Sequence, residues 1–293
     1  MCALSIAPRT GRELGSGVLL ALAGLILMAG TACRRGDATA SGNAEAEAKV
    51  RVDALIEVFT PLDRTVPSNV TDVRFKEGQE LLAELSAAGP EVGHAALAAL
   101  REGVERPVDV ERALLMVGAR AATAEAQPLL ENLLTQYGAS LHLRTEGTFL
   151  LAEVLPHRAI ELLEPIVTRQ KQESTMPPHE FLLKAWVVAC DKTGRSPVKE
   201  LADVATNLFA EGSARVLAVK ELGLRRDPRG EAALRAILVE STGDGYLRRK
   251  VVQSLYATLP SETACALFRQ VAEREADLNF LRFMADVLGD WCD

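Results

Sequence analysis

Ser196 and Lys199 stand three residues apart, the spacing at which a lysine amine can deprotonate a serine for acyl transfer. Lys192-Thr193-Gly194 and Ser41-Gly42-Asn43 supply two further short motifs of that chemistry. Their arrangement does not fit it, because two of them abut within one turn's length and the third stands in a low-complexity stretch. Ser196-Pro197 reads instead as a helix start, with proline at a first helical position where its missing N–H costs nothing. The histidines His94, His142, His157 and His179 are scattered, and none belongs to a His-Glu-x-x-His helix that would hold zinc. No Gly-x-Ser-x-Gly elbow, phosphate loop or dinucleotide fingerprint occurs. Carboxylate pairs such as Glu161/Glu164 and Glu273/Asp277 fall among Arg and Lys on polar helix faces, where they read as solvated charge. The expectation is a chain that is not an enzyme, with no catalytic residue, no metal site and no cofactor, and for which no small-molecule substrate is inferred.

The residue with the clearest chemistry is Cys33. Arg9 and Arg12 precede an apolar run of fifteen residues, Val18 to Ala32, which ends in Ala29-Gly30-Thr31-Ala32-Cys33. As a helix that run covers roughly 22 Å, short of the ~30 Å hydrocarbon core of a bilayer. Its length suits a signal peptide better than a permanent span. The small residues before Cys33 resemble the lipobox of bacterial lipoproteins, although Gly30 stands where Leu or Val is usual. The resemblance implies a signal peptide over 1–32 and lipid on Cys33. It also implies an exported protein held to the membrane at the periplasmic face or at the outer membrane. Residues 33–44, rich in Gly, Ala, Ser, Thr and Asp, then read as a flexible tether.

Over its 293 residues the chain is 48% hydrophobic and 25% charged, which excludes disorder, and only 4% aromatic, which disfavours sandwiches and barrels. A net charge of −7 argues against a nucleic-acid partner held by phosphate neutralisation. What remains is helical and periodic. The last strong apolar residue of each first helix recurs at Leu85, Val117, Leu155, Ala189, Leu222, Leu255 and Leu288, with steps of 32, 38, 34, 33, 33 and 33. Second helices then fall at about 91–103, 125–137, 157–171, 197–210, 229–240 and 261–275. The unit over 215–238 is the clearest: Arg215, Leu222-Gly223, then Asp227-Pro228-Arg229 and an amphipathic helix.

That unit resembles HEAT repeats of the armadillo type, particularly the short bacterial form also found in phycobilisome lyases. Residues 248–271 match less well, and 85–210 match mainly through their period. The fold expected over 45–293 is an all-α superhelix, a HEAT-like solenoid of about six to seven helical hairpins. The resemblance implies a membrane-tethered scaffold that binds protein partners on a concave face lined by second helices. Its polar candidates are Arg101, Glu131, Asn132, Gln136, Glu164, Lys171, Lys199, Asp203, Arg235, Arg269 and Arg274. An alternative is a subunit of a lyase-type enzyme like the phycobilisome-lyase proteins, with Cys190 as the thiol to consider. An oxidising compartment would permit a disulfide between Cys265 and Cys292. Gly289 is the expected stop of the last helix, after which the C-terminus would fold back to reach Cys265.

Overall fold

Asp227-Pro228 illustrates how this sequence starts its helices. The Asp227 carboxylate accepts the Arg229 N–H at 2.8 Å, and Pro228 occupies the first helical position. Asp244 and Ser140 cap in the same way, accepting from Leu247 and Leu143, and Pro90 and Pro156 open two further helices. In this computed structural model, residues 42–60, 68–102, 104–135, 140–168, 180–208, 210–241 and 244–292 are described. The expected signal peptide, Cys33 and most of the tether lie outside them.

Fourteen helices make up the described chain: α1 (42–59), α2 (Ser68–Ser86), α3 (Pro90–Arg101), α4 (Val108–Ala121), α5 (Thr123–Thr135), α6 (Leu141–Val154), α7 (Pro156–Val167), α8 (Glu180–Thr193), α9 (Val198–Thr206), α10 (Gly212–Arg225), α11 (Pro228–Glu240), α12 (Gly245–Thr258), α13 (Ser261–Arg274) and α14 (Leu278–Cys292). The fold is all-α, and among the described residues no helix is long and apolar enough to cross a membrane. Helix α1 starts at residue 42, inside the stretch expected to be tether. Six successive pairs, α2–α3 through α12–α13, are flanked by α1 and α14.

Each even-numbered helix from α2 to α12 packs on the next even-numbered one, and each odd-numbered helix from α3 onward packs on the even-numbered helix after it. Small residues permit this. A Cβ on Gly223 of α10 would come within 2.9 Å of the Ser254 Cβ on α12. The glycine of the Leu222-Gly223 motif is thus explained by close helix approach. Helix α4 is apolar on two sides: Leu114 and Val117 join a core built with α1–α3, while Leu115 and Ala119 join the long core running on to Val287. A helix buried on both sides needs a neighbour on each. The expected core positions Leu85, Val117, Leu222 and Leu255 are buried, but Leu155 is only half-buried, because it forms the α6–α7 junction at φ −132°.

Side-chain pairs across neighbouring helices keep the sequence period. Arg51 meets Glu84, Arg120 meets Glu153 and Arg229 meets Ser196, each 33 residues apart. Arg112 meets Glu146 and Arg225 meets Asp191, each 34 apart. Two arginines, Arg215 and Arg248, are buried at equivalent places in α10 and α12. Each donates its Nε to a carbonyl ten residues back, Ala205 at 3.2 Å and Leu238 at 2.9 Å. Each therefore satisfies an acceptor near the C-terminal end of the preceding odd-numbered helix, where cations are favoured. Their carboxylate partners, Asp244 and Glu275, come from the next turn along the chain.

At the C-terminal end the expected stop at Gly289 is overturned: α14 runs through it to Cys292. A mid-helix glycine costs only about 1 kcal/mol relative to alanine, and the last turn has stronger reasons to stay helical. Trp291 stacks on Tyr256 with ring centroids 4.4 Å apart. Cys265 and Cys292 form a disulfide with Cα atoms 5.7 Å apart, reached from within the helix and without a fold-back. Closing a loop of 27 residues in sequence is worth about 2–4 kcal/mol. Reductant, or Cys265→Ser with Cys292→Ser, should lower the unfolding free energy by about that amount in urea melts. Superimposable melts with and without reductant would contradict the bridge.

Candidate partner-binding surface

The described polar candidates all lie on odd-numbered helices, but the structure commits several of them to one another. Glu131 on α5 receives the Arg158 Nε at 2.8 Å and Nη2 at 3.1 Å from the start of α7, and Gln127 at 2.8 Å. Arg158, followed by Gln127, holds the Glu131 carboxyl at about 2. A depressed carboxyl stabilises the fold above its unfolded value, and that contribution is lost as pH falls towards 2. Glu164 on α7 is gripped by Arg195, with Nη1 at 2.6 Å, and Arg195 also reaches Glu200 at 3.0 Å. The Arg195 contact holds Glu164 below the usual carboxylate range. Arg235 bonds Glu231 at 2.8 Å one turn back.

The remaining candidates face outward to different degrees. Arg101 donates to the Glu125 carbonyl at 3.4 Å and Arg269 to the Cys292 carbonyl at 3.5 Å. Asn132, Lys199 and Arg274 are exposed, and Asp203 is half-buried. Gln136 and Lys171 lie outside the described residues. The structure thus brings together Glu131 with Arg158 and Glu164 with Arg195, and it leaves Asn132, Lys199 and Arg274 on the surface. Sequence inspection missed Arg158, Arg195 and Glu200. Their signal was positional: a basic residue at or just before the start of one second helix lies beside an acidic residue midway along the preceding second helix.

Close packing runs through the even-numbered row, whereas among the odd-numbered helices α9 and α11 are the pair that pack closely.

Chemistry elsewhere is sparse. His94 sits 3.3 Å from Glu125, and His142 and His157 are exposed on different helices; His179 lies outside the described residues. No group of three metal-ligating side chains gathers among the described residues. Cys190 is fully buried in α8, and burial pushes its thiol up to about 12, which leaves it no thiolate character near neutrality. Ser196 and Lys199 stand in the turn before α9 and in its first turn, with Arg229 reaching the Ser196 hydroxyl at 3.4 Å. The chain matches no protein-family model, and no curated protein or solved structure matches it.

Proposed function

We propose that the chain is a non-catalytic scaffold of HEAT-like repeats, tethered to a bacterial envelope membrane through lipid on Cys33. It binds a protein partner with the polar surface of its odd-numbered helices. The recurrence of side-chain pairs 33 or 34 residues apart carries the repeat reading, since it sets equivalent positions of successive units side by side. Arrays of this kind present a long surface on which each unit contributes a few side chains, which suits an extended protein partner. Mixed charges, with Lys199 and Arg235 near Asp203 and Glu231, suit such a partner better than a polyanion. The buried thiol of Cys190 disfavours a lyase-type alternative that works through that thiol.

Cross-linking in intact cells followed by recovery of the full chain from membranes tests both halves. The wild-type chain should fractionate with membranes and retain a stoichiometric protein partner, and Cys33→Ala should accumulate as an unprocessed precursor. Combining Asn132→Arg, Lys199→Glu and Arg235→Glu should lower partner recovery at least about fivefold with helicity unchanged, because rim charges contribute little to folding and much to partner choice. Unaltered recovery by that triple variant would remove the binding surface from these helices. A mature chain still beginning at Met1 would remove the tether.

A further inference from the structure

A cavity of about 420 Å³ opens between the end of α11, α13 and the turn leading into α14. Its walls are largely apolar, from Val239, Leu267 and Val271, and three potential donors line it: Arg248, Gln270 and Arg274. The carboxylates beside it are already engaged. Glu275 accepts from Arg248 and from the Ala276 and Asp277 N–H groups, at 2.9 and 2.8 Å. Asp277 accepts from the Asn279 and Phe280 N–H groups at the start of α14. Arg274 is exposed and has neither an ion pair nor a hydrogen bond among the described residues, and the same holds for Gln270. Arg248 is 2% exposed, lies 3.9 Å over the Phe280 ring, and keeps one terminal nitrogen, Nη1, buried without an acceptor. That nitrogen is sealed from solvent, so the donors open to an occupant of the cavity are those of Arg274 and Gln270.

Exposed apolar side chains stand near the cavity in sequence and space. Val239, which lines the cavity, is 55% exposed; Leu278 follows Asp277 of the lining and is 70% exposed, and Tyr246, 64% exposed, follows Gly245, where a Cβ would come within 3.9 Å of Asp277. Single exposed apolar side chains mean little by themselves, and the cavity beside them gives these their interest.

We infer that this cavity receives the free C-terminal end of an apolar polypeptide. The last side chain would fill the space between Leu267 and Val271, the carboxylate would face Arg274 and Gln270, and the preceding residues would lie across Tyr246 and Leu278. A terminal residue carries an apolar side chain and a carboxylate on one carbon, the pairing that this lining presents. Helix α14 does not fill it, because it begins at the cavity and runs 15 residues away from it, about 22 Å. The inference rests on the chain being a binding protein. It uses side chains other than Asn132, Lys199 and Arg235, so the two readings fail separately.

The test titrates the full chain in detergent with a pool of fluorescein-labelled hexapeptides. Their last two positions are drawn from Ala, Val, Leu and Phe, and the pool is prepared as free acids and as C-terminal amides. The acid pool should bind saturably and the amide pool at least about tenfold more weakly, as loss of a charge-assisted hydrogen bond implies. Arg274→Ala should weaken acid binding by a similar factor without changing helicity, and Arg274→Lys should restore part of it. Arg248 is left intact because its replacement threatens the fold. Equal binding of acid and amide, or no saturable binding of either, would overturn the inference. Binding of decanoate with no binding of peptide would overturn it in favour of a fatty-acid site.

Discussion

Glu275→Ala should lower the unfolding free energy by about 3–5 kcal/mol, because it leaves the Arg248 guanidinium charged, buried and without its counterion. Arg248 and Glu275 side chains are 2% and 5% exposed. The Glu275 carboxylate accepts two backbone N–H groups, so alanine also orphans the turn into α14. Glu275→Gln keeps an acceptor oxygen for those amides but not the charge, and should cost less than alanine. Burial pushes the Glu275 carboxyl up, yet Arg248 and the Asp277 and Ala276 amides outweigh burial and hold it below the usual range. The pair therefore stabilises the fold above the unfolded carboxylate value of about 4.3 and loses that contribution as pH falls through the lower folded value. Urea melts at pH 7 and pH 3 check both points: the gap between wild type and Glu275→Ala should be wide at pH 7 and narrower at pH 3. Equal midpoints at pH 7 would show that Arg248 does not depend on this partner.

The second large effect is expected at Leu222, where alanine should cost about 2–5 kcal/mol. The leucine is 1% exposed and lies beneath Gly230, where a Cβ would come within 3.5 Å of the Leu222 Cδ2. Backbone that is already this close has little room to collapse into a void, so most of the cavity left by alanine persists. Leu224, two residues on in the same helix and 65% exposed, is the matched control, and Leu224→Ala should change stability by less than about 0.5 kcal/mol. Glu221 would be a poorer control. The sequence pattern places it on the solvent side, but its carboxylate is 19% exposed and 3.6 Å from Arg225. Melts showing equal losses at Leu222 and Leu224 would mean that the buried face of α10 is misassigned.

Helix identity and order were open to reading because they are local. Apolar residues at three- and four-residue spacing, prolines and Asp at helix starts, and a step near 33 residues place the second helices within a few residues of α3, α5, α7, α9, α11 and α13. Leu155 misled because a strong apolar residue at a junction carries the same periodic signal as one inside a helix. Gly289 misled for the complementary reason: its cost is local, while the Trp291 contact with Tyr256 and the bridge to Cys265 that outweigh it are tertiary.

The nominated binding residues show the same division. Glu131, Glu164 and Arg235 carry the right polarity on the right helices, and the sequence alone determined that much. Whether a charged residue is available to a partner depends on what lies within about 3 Å of it, and those neighbours come from residues 27 to 31 positions away in two cases, Arg158 and Arg195. The buried arginines make the point most plainly. Arg215 and Arg248 look like surface charges in a linear reading, because arginine is seldom buried. Only the packing of each even-numbered helix against the end of the preceding odd-numbered one supplies the carbonyl, and only the following turn supplies the carboxylate, that together allow the charge to be buried. Secondary structure and period follow from contacts within a few residues, so the sequence determined them. Charge pairing, availability and the cavity beside Arg248 follow from contacts between units, so only the tertiary structure decided them.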